Sequence, residues 1–309
     1  GSTYQVTFGE VYVPYANIID ESRKVTRIVP QDARTRNLAY DTPVCVDITE
    51  DFVEDGVAGR IEHKRVPIAR IPIMLRSCRC NLTNMTDDQR IKAGECPYDN
   101  GGYFVMKGNE RVLVGQIRRV NNTVFVFEQK PDNKFKYIAE IRSMSEETGH
   151  SVLVQAKIGS NDRTIIFSLP YIKEAIPVGV VFKALGFTTD AEIAMLIGSH
   201  TEKAQAYIRL ILRDCFFVRT QEEALEYIGR FTLHIVAKEK RIAYAWQVVE
   251  TELFPHLGVS ATIKEKAVFL GHIVHRLLET SMSFRPCDDI DNYTNKRIDD
   301  SGTLCNDLF

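Results

Sequence analysis

The sequence predicts an α+β chain in two domains, built of mixed β-sheets with helices. Two observations carry this prediction. Apolar and polar residues alternate through most of the stretch before Pro170, as half-buried strands require. After Pro177 the apolar spacing changes to the 3–4-residue period of amphipathic helices. The length of 309 residues suits two domains. A boundary is expected near residues 118–134, where Arg118-Arg119 and Pro131-Asp132-Asn133 punctuate the chain.

Gly1-Ser2 opens the chain without a secretory leader behind it. "QVTFGEVYV" and "RVPIARIPIML" have strand composition. "TDDQRIKAG" predicts a short helix with Thr86 as N-cap and Gly94 just past its end. Residues 96–116, "CPYDNGGYFVMKGNERVLVGQ", predict a hairpin of two buried strands around a Lys107-Gly108-Asn109 tip. In "NNTVFVFEQK" the run Val124 to Phe127 points both ways, so this strand should be covered on both faces. A meander follows. Phe135, Tyr137, Ala139 and Ile141 share one face; Val152, Val154, Ala156 and Ile158 share the next; "RTIIFSLP" closes the set.

The helical half begins with "VGVVFKALGF", stopped by Gly186, and "TDAEIAMLIG", capped by Thr189-Asp190 and ended by Gly198. Ile242, Trp246, Val249 and Leu253 mark one face of a helix halted by Pro255. Ala267, Leu270, Val274, Leu277 and Leu278 mark another.

Composition excludes several function classes. No apolar run is long enough to span a bilayer as a helix. A net charge of −2 argues against a wholesale nucleic-acid coat. The charge is uneven, however. Residues 46–55 carry Asp47, Glu50, Asp51, Glu54 and Asp55 without a base. Residues 60–79 carry Arg60, Lys64, Arg65, Arg70, Arg76 and Arg79 against Glu62 alone. On charge alone a solvated surface accounts for this clustering; a local polyanion contact is the sharper reading.

Seven irregularly spaced cysteines read as free thiols of a reducing compartment. Cys78, Cys80 and Cys96 lack the paired C-x-x-C knuckles of a zinc site. His272 and His275 lack the glutamate and spacing of a zinc-protease helix. Asp288, Asp289 and Asp291 depart from a Ca²⁺ loop and read as Asx-type turns; a metal-dependent enzyme using them is the rival. No phosphate loop of the G-x-x-x-x-G-K-[ST] type and no G-x-S-x-G elbow occurs.

Several segments are familiar in their content and order: "FGEVYV", "PQDARTRNLAYDTPVCVDI", "IPIMLRSCRC", the 96–116 stretch, "YIAEIRS", "LPYIKEAIPVGVVFKALGF", "KEKRIAYAWQVVETELFPHLG", "KAVFLGHIVHRLL" and "DDIDNYTNKRIDDSG". Together they resemble the N-terminal part of the second-largest subunit of multisubunit DNA-directed RNA polymerases of the eukaryotic polymerase II type. "DDIDNYTNKR" also looks archaeal or viral. The resemblance implies a fragment of such a subunit with two domains, the second inserted in the first. Residues 1–118, continued at 297–309, would be the protrusion; residues 119–296 would be the lobe. Both would wall the cleft that holds DNA and the RNA–DNA hybrid.

The resemblance also implies site residues. The family's N-G-S/T-E-K/R-V turn lines the main channel near the hybrid; here it reads Lys107-Gly108-Asn109-Glu110-Arg111-Val112, with lysine in place of the usual asparagine. Lys107, Arg111 and Gln116 are therefore expected to touch nucleic acid, sequence-independently, with Lys296 and Arg297 as further contacts. The competing reading is that Glu110 pairs with Arg111 or another neighbour in a structural network.

No catalytic residue and no cofactor is expected in this fragment. The Mg²⁺ of the parent complex would be held by other parts of it, so the fragment alone should be inactive. Expected partners are the largest and other polymerase subunits, the DNA template and RNA–DNA hybrid, and initiation factors of the B and F type, with no membrane. The implied location is the nucleus, or host cytoplasm (viral factory or virion) if the owner is viral. The alternative is a free-standing nucleic-acid-binding or scaffold protein with borrowed polymerase domains.

Overall fold

A computed structural model describes residues 3–19, 25–54, 57–130, 132–159, 164–198, 201–232, 237–258 and 261–309. Gly1, Ser2, Asp55, Pro131 and the Arg163 that opens "RTIIFSLP", named above, lie outside the described residues. In chain order the elements are β1 (Thr3–Tyr12), β2 (Asn17–Ile19), β3 (Val25–Arg27), α1 (Pro30–Thr35), β4 (Asp41–Glu54), β5 (Val57–Pro72), α2 (Asp87–Lys92), β6 (Phe104–Met106), β7 (Asn109–Arg111), β8 (Gln116–Arg119), β9 (Phe125–Glu128), β10 (Phe135–Met144), β11 (Ser151–Gly159), β12 (Ile165–Ser168) and β13 (Ile176–Pro177). There follow α3 (Val178–Ala184), α4 (Asp190–Ile197), α5 (Glu202–Asp214), α6 (Gln221–Gly229), α7 (Lys238–Gln247), α8 (Ile263–Ser281), β14 (Lys296–Asp299) and α9 (Ser301–Leu308). The fold is α+β. The chain forms two compact units, residues 1–116 with 299–309, and residues 117–298.

The first unit carries a three-stranded antiparallel sheet in the order β1-β4-β5. Its core is small: Ala16, Ile28, Ala33, Tyr40, Ile73, Leu75, Cys80, Leu82 and Val105. Asn81 clips this core together, its Nδ2 donating to the carbonyls of Ala16 (2.8 Å) and Ile28 (2.7 Å). The Asn81 amide donates to the Tyr40 hydroxyl (2.9 Å), whose proton is directed at Cys80 Sγ (3.5 Å). That buried phenol titrates far above its ordinary range, chiefly because burial penalises the phenolate.

The acidic run up to Glu54 lies on β4 and the basic run from Arg60 to Arg70 on β5, while Arg76 and Arg79 follow the strand; ion pairs link the two runs. Asp51 stands opposite Arg60, and Ile48 opposite His63. Arg70 bonds Asp41 at 2.5 Å, His63 lies 3.6 Å from Glu50, and Arg60 lies 3.5 Å from Glu62 and 3.9 Å from Asp51. The Arg65 amide donates to Asp47 (2.7 Å) while its guanidinium covers the Tyr12 ring. Arg60, Arg65 and Arg70 are thus engaged within the ribbon.

The second unit centres on a five-stranded antiparallel sheet, order β13-β12-β11-β10-β9. Its core joins Ala139, Ile141, Val154, Ala156, Ile158 and Phe167 to apolar faces of α3, α4 and α8. The predicted stripe on α8 is fully inside the core. Gly271 lets α8 approach α4, because a Cβ there would collide with the Leu196 carbonyl. Lys183, on the otherwise apolar α3, is buried; its Nζ donates to the carbonyls of Cys215 (3.0 Å) and Val218 (2.6 Å), just past the end of α5. β8 and β14 form a two-stranded sheet.

The predicted Thr86, Thr189 and Gly198 caps occur as expected. Two expectations need correction. The helix toward Pro255 is not one helix: α7 ends at Gln247 and a π-helical turn covers Val248–Glu252. That turn widens the backbone and shifts the apolar phase, so Val249 and Leu253 are buried while Ile242 and Trp246 stay partly exposed. Lys266 Nζ bonds the Glu250 carbonyl within it (2.5 Å). The second strand of the 96–116 hairpin is also not buried. β7 is exposed throughout, regular pairing stops at Arg111, and Val112, Leu113 and Val114 face solvent.

Candidate nucleic-acid interface

The hairpin β6–β7 has the shortest loop that sheet geometry allows. Phe104 pairs with Arg111, Val105 with Glu110 and Met106 with Asn109, leaving Lys107 and Gly108 as the turn. Both have positive φ, +50° and +75°. This is a type I′ turn, whose twist matches that of the flanking strands and which favours Asn-Gly. The asparagine that the resemblance leads one to expect at the first position would have a conformational explanation. Asn tolerates left-handed backbone; Lys107 occupies the same conformation with a side chain less suited to it.

The turn is anchored on the segment from α1 to Tyr40. The Gly108 amide donates to the Leu38 carbonyl (3.1 Å), and the Tyr40 amide to the Val105 carbonyl (2.8 Å). A Cβ on Gly108 would lie 2.5 Å from Asn37 Oδ1 and 3.1 Å from the Arg34 carbonyl. Glycine is required there twice over, by conformation and by space.

Arg34 is the hub of the anchor. Its Nη1 reaches Glu95 (3.0 Å), its Nη2 the Tyr103 hydroxyl (2.7 Å), and its Nε Glu110 (2.8 Å). Its guanidinium also lies over the Tyr103 ring. Glu95, with a side chain only 4% exposed, accepts in addition from the Gln31 amide (2.7 Å). Tyr103 donates to Asp99 (2.5 Å). Burial, reinforced by that hydrogen bond, pushes the phenol up; the same bond and the Gly101 amide hold the Asp99 carboxyl below its ordinary value against a desolvation that opposes them. The Arg34 guanidinium is held more firmly protonated by Glu95, although its own burial works the other way.

Adjacent residues of a strand point to opposite faces, so Glu110 and Arg111 cannot share one side of the hairpin. Glu110 faces Arg34 and is satisfied there. The structural-network reading of Glu110 thus holds with Arg34, not Arg111, as partner. The side chains of Lys107 and Arg111 are exposed and have no hydrogen-bond or ion-pair partner among the described residues.

Gln116, at the start of β8, is also exposed. The structure brings Lys107 and Arg111 together on one hairpin of the first unit, and Lys296 with Arg297 on β14 of the second. These last two are partly committed. Lys296 pairs with Asp291 (3.2 Å), and Arg297 Nη1 curls onto the carbonyls of Thr294 (3.1 Å) and Lys296 (2.8 Å). Sequence reasoning missed Arg34, Glu95 and Tyr103. Glu95 and Tyr103 stand 61 and 69 residues from Arg34, and no local pattern links them to it.

The three aspartates have structural roles. Asp288 accepts from the Val126 amide (2.9 Å) and binds Arg285 (2.5 Å), with Arg276 at 3.6 Å. Asp289 accepts from the Asp291 amide (2.8 Å) in a tight turn. No group of three or more potential metal ligands occurs among the described residues. All seven cysteines are free.

Comparison with known proteins places this chain in a family. The family model for the RNA polymerase beta subunit matches residues 1–309. DNA-directed RNA polymerase II subunit 2 of Arabidopsis thaliana is 36% identical, over 99% of this chain and 27% of the plant protein. DNA-directed RNA polymerase II subunit RPB2 of Encephalitozoon cuniculi is 37% identical, over 98% of this chain and 27% of its own length. A probable RPB2 homolog of Invertebrate iridescent virus 6 is 35% identical, over 98% of this chain and 28% of its own. The chain spans about a quarter of the length of these relatives. On this match along its whole length, the chain belongs to the RNA polymerase beta subunit family, the second-largest subunits of DNA-directed RNA polymerases.

Proposed function

We propose that this chain forms one wall of the cleft that holds DNA and the RNA–DNA hybrid in a parent RNA polymerase. Lys107 and Arg111 grip phosphates there without reading sequence. One observation carries the reading: two exposed cations without partners among the described residues sit on a short hairpin whose other side is tied down through Arg34. A cation mounted this way loses little freedom on meeting a phosphate. Arg111 supplies a planar fork for phosphate oxygens and Lys107 a point charge. Gln116 can donate to backbone or sugar oxygens, and Lys296 and Arg297 are weaker contacts because each already has a partner.

In this reading the first unit is the protrusion and the second the lobe. The lobe surface docks initiation factors of the B and F type, and the largest subunit and smaller subunits complete the cleft. Nucleotidyl transfer and its Mg²⁺ belong to other parts of the complex, so the isolated chain does not incorporate nucleotides. The complex works in the nucleus, or in host cytoplasm if its owner is viral.

The test uses the parent polymerase carrying Lys107→Ala and Arg111→Ala together. Transcribing complexes should dissociate faster as salt rises, equally on unrelated templates. The salt slope of hybrid binding should fall by about two, one for each lost phosphate contact. An unchanged slope, or a loss that depends on template sequence, overturns the phosphate role.

A further inference from the structure

We propose that the groove between α6 and α7 is a docking site for a basic amphipathic helix of a protein partner. This deepens the docking part of the function proposed above and is independent of the cleft-wall part. The groove, of about 500 Å³, has an apolar floor of Leu225, Ile242, Ala243 and Trp246. Its rim carries Glu222 and Glu239. On α7 the residues Glu239, Ile242, Ala243 and Trp246 fall at i, i+3, i+4 and i+7, one continuous face.

Charge selects the occupant. Both rim carboxylates are exposed and have no ion-pair partner among the described residues, and no cation lines the groove. The nearby Lys238 is already spent on Glu226 (2.9 Å), which also meets Arg230 (3.4 Å). Arg241, whose Cβ lies against Gly229 of α6, is not among the groove's lining residues. Lysine or arginine of a partner would meet both carboxylates, and an arginine could also stack on the Trp246 ring. The walls select the conformation. Both are helices whose backbone groups bond internally, so an incoming strand would find no ladder to join. Recognition must come from side chains alone, which suits an i, i+4 apolar stripe laid into the groove.

Trp246 is the only tryptophan in the chain, so its emission reports on this groove specifically. The test titrates the full 309-residue chain with an 18-residue leucine–lysine amphipathic helix, and with its leucine–glutamate counterpart of the same apolar stripe. The lysine peptide should shift Trp246 emission to shorter wavelength and saturate; the glutamate peptide should bind at least about tenfold more weakly. Glu222→Gln with Glu239→Gln leaves the apolar floor intact, since Glu223 and not Glu222 closes the capping box of α6. It should weaken the lysine peptide about tenfold and flatten its salt dependence, with an unchanged circular dichroism spectrum. Equal affinity for the two peptides, equal binding by the double variant, or binding seen by anisotropy without a change at Trp246 each overturns the proposal. None of these outcomes bears on hybrid binding, so this inference and the cleft-wall reading fail separately.

Discussion

Replacing Lys107 by asparagine should move two measurements in opposite directions. Left-handed backbone costs an ordinary L-residue about 1–2 kcal/mol, and Asn escapes part of that cost. Lys107 sits at φ +50° in a turn that Gly108 and the Leu38 carbonyl prevent from relaxing. Lys107→Asn should therefore stabilise the first unit by about 0.5–1 kcal/mol. The same change removes one exposed cation, so the salt slope of RNA–DNA hybrid binding should fall by about one. Lys107→Ala is the control: it loses the charge but keeps a side chain ill-suited to the turn, so its stability should barely change. Trp246 lies in the second unit and does not report on this one. Hydrogen exchange at the Tyr40 amide, which bonds Val105 of the hairpin, does. If Lys107→Asn exchanges no more slowly than Lys107→Ala, the conformational account of this position is wrong. If both keep the full salt slope, the phosphate account is wrong.

Arg34→Ala strands the nearly buried Glu95 and frees Glu110; a loss of about 3 kcal/mol in the first unit is expected by chemical denaturation, and less than 1 would dismiss Arg34 as the hub. Lys183→Met leaves the Val218 carbonyl without its buried donor and should cost the second unit about 1–3 kcal/mol, read by urea titration of Trp246 emission. The same titration should show a pH effect of defined sign. Burial lowers the pKa of His256, held by Ser143 at 2.7 Å, and lowers that of His272, so the unfolded chain binds these protons more readily. The stability of the second unit is then complete above the ordinary histidine range near 6.5 and declines as pH falls below it. His256→Gln with His272→Gln should flatten that decline; a midpoint that rises on acidification contradicts the assignment.

Much of the architecture was legible because its rules are local. The caps at Thr86 and Thr189, the alternation in β10 and β11 and the stripe on α8 each depend on neighbours within a few residues along the chain. α5 and α6 went unnoticed although they carry comparable signals: Ala204, Ile208 and Ile211 on one face, and a Thr220–Glu223 capping box. The π-helical turn after Gln247 was not legible, since periodicity cannot show where a helix widens. Nor was the exposure of Val112 to Val114, because an apolar run reads alike whether or not something covers it.

By itself the sequence determined the family, the α+β class, and the placing of Lys107 in a Gly-containing turn with Arg111 on the strand after it. Only the tertiary structure decided what each charge does. The basic run 60–79 is partly spent on acids across the β4–β5 ribbon, Lys296 is spent on Asp291, and Glu110 on Arg34, leaving Lys107 and Arg111 without a partner among the described residues. The reason is range. Backbone preference and periodicity act over a few residues, whereas the fold brings Arg34 and Glu110 within ion-pair distance from 76 positions apart.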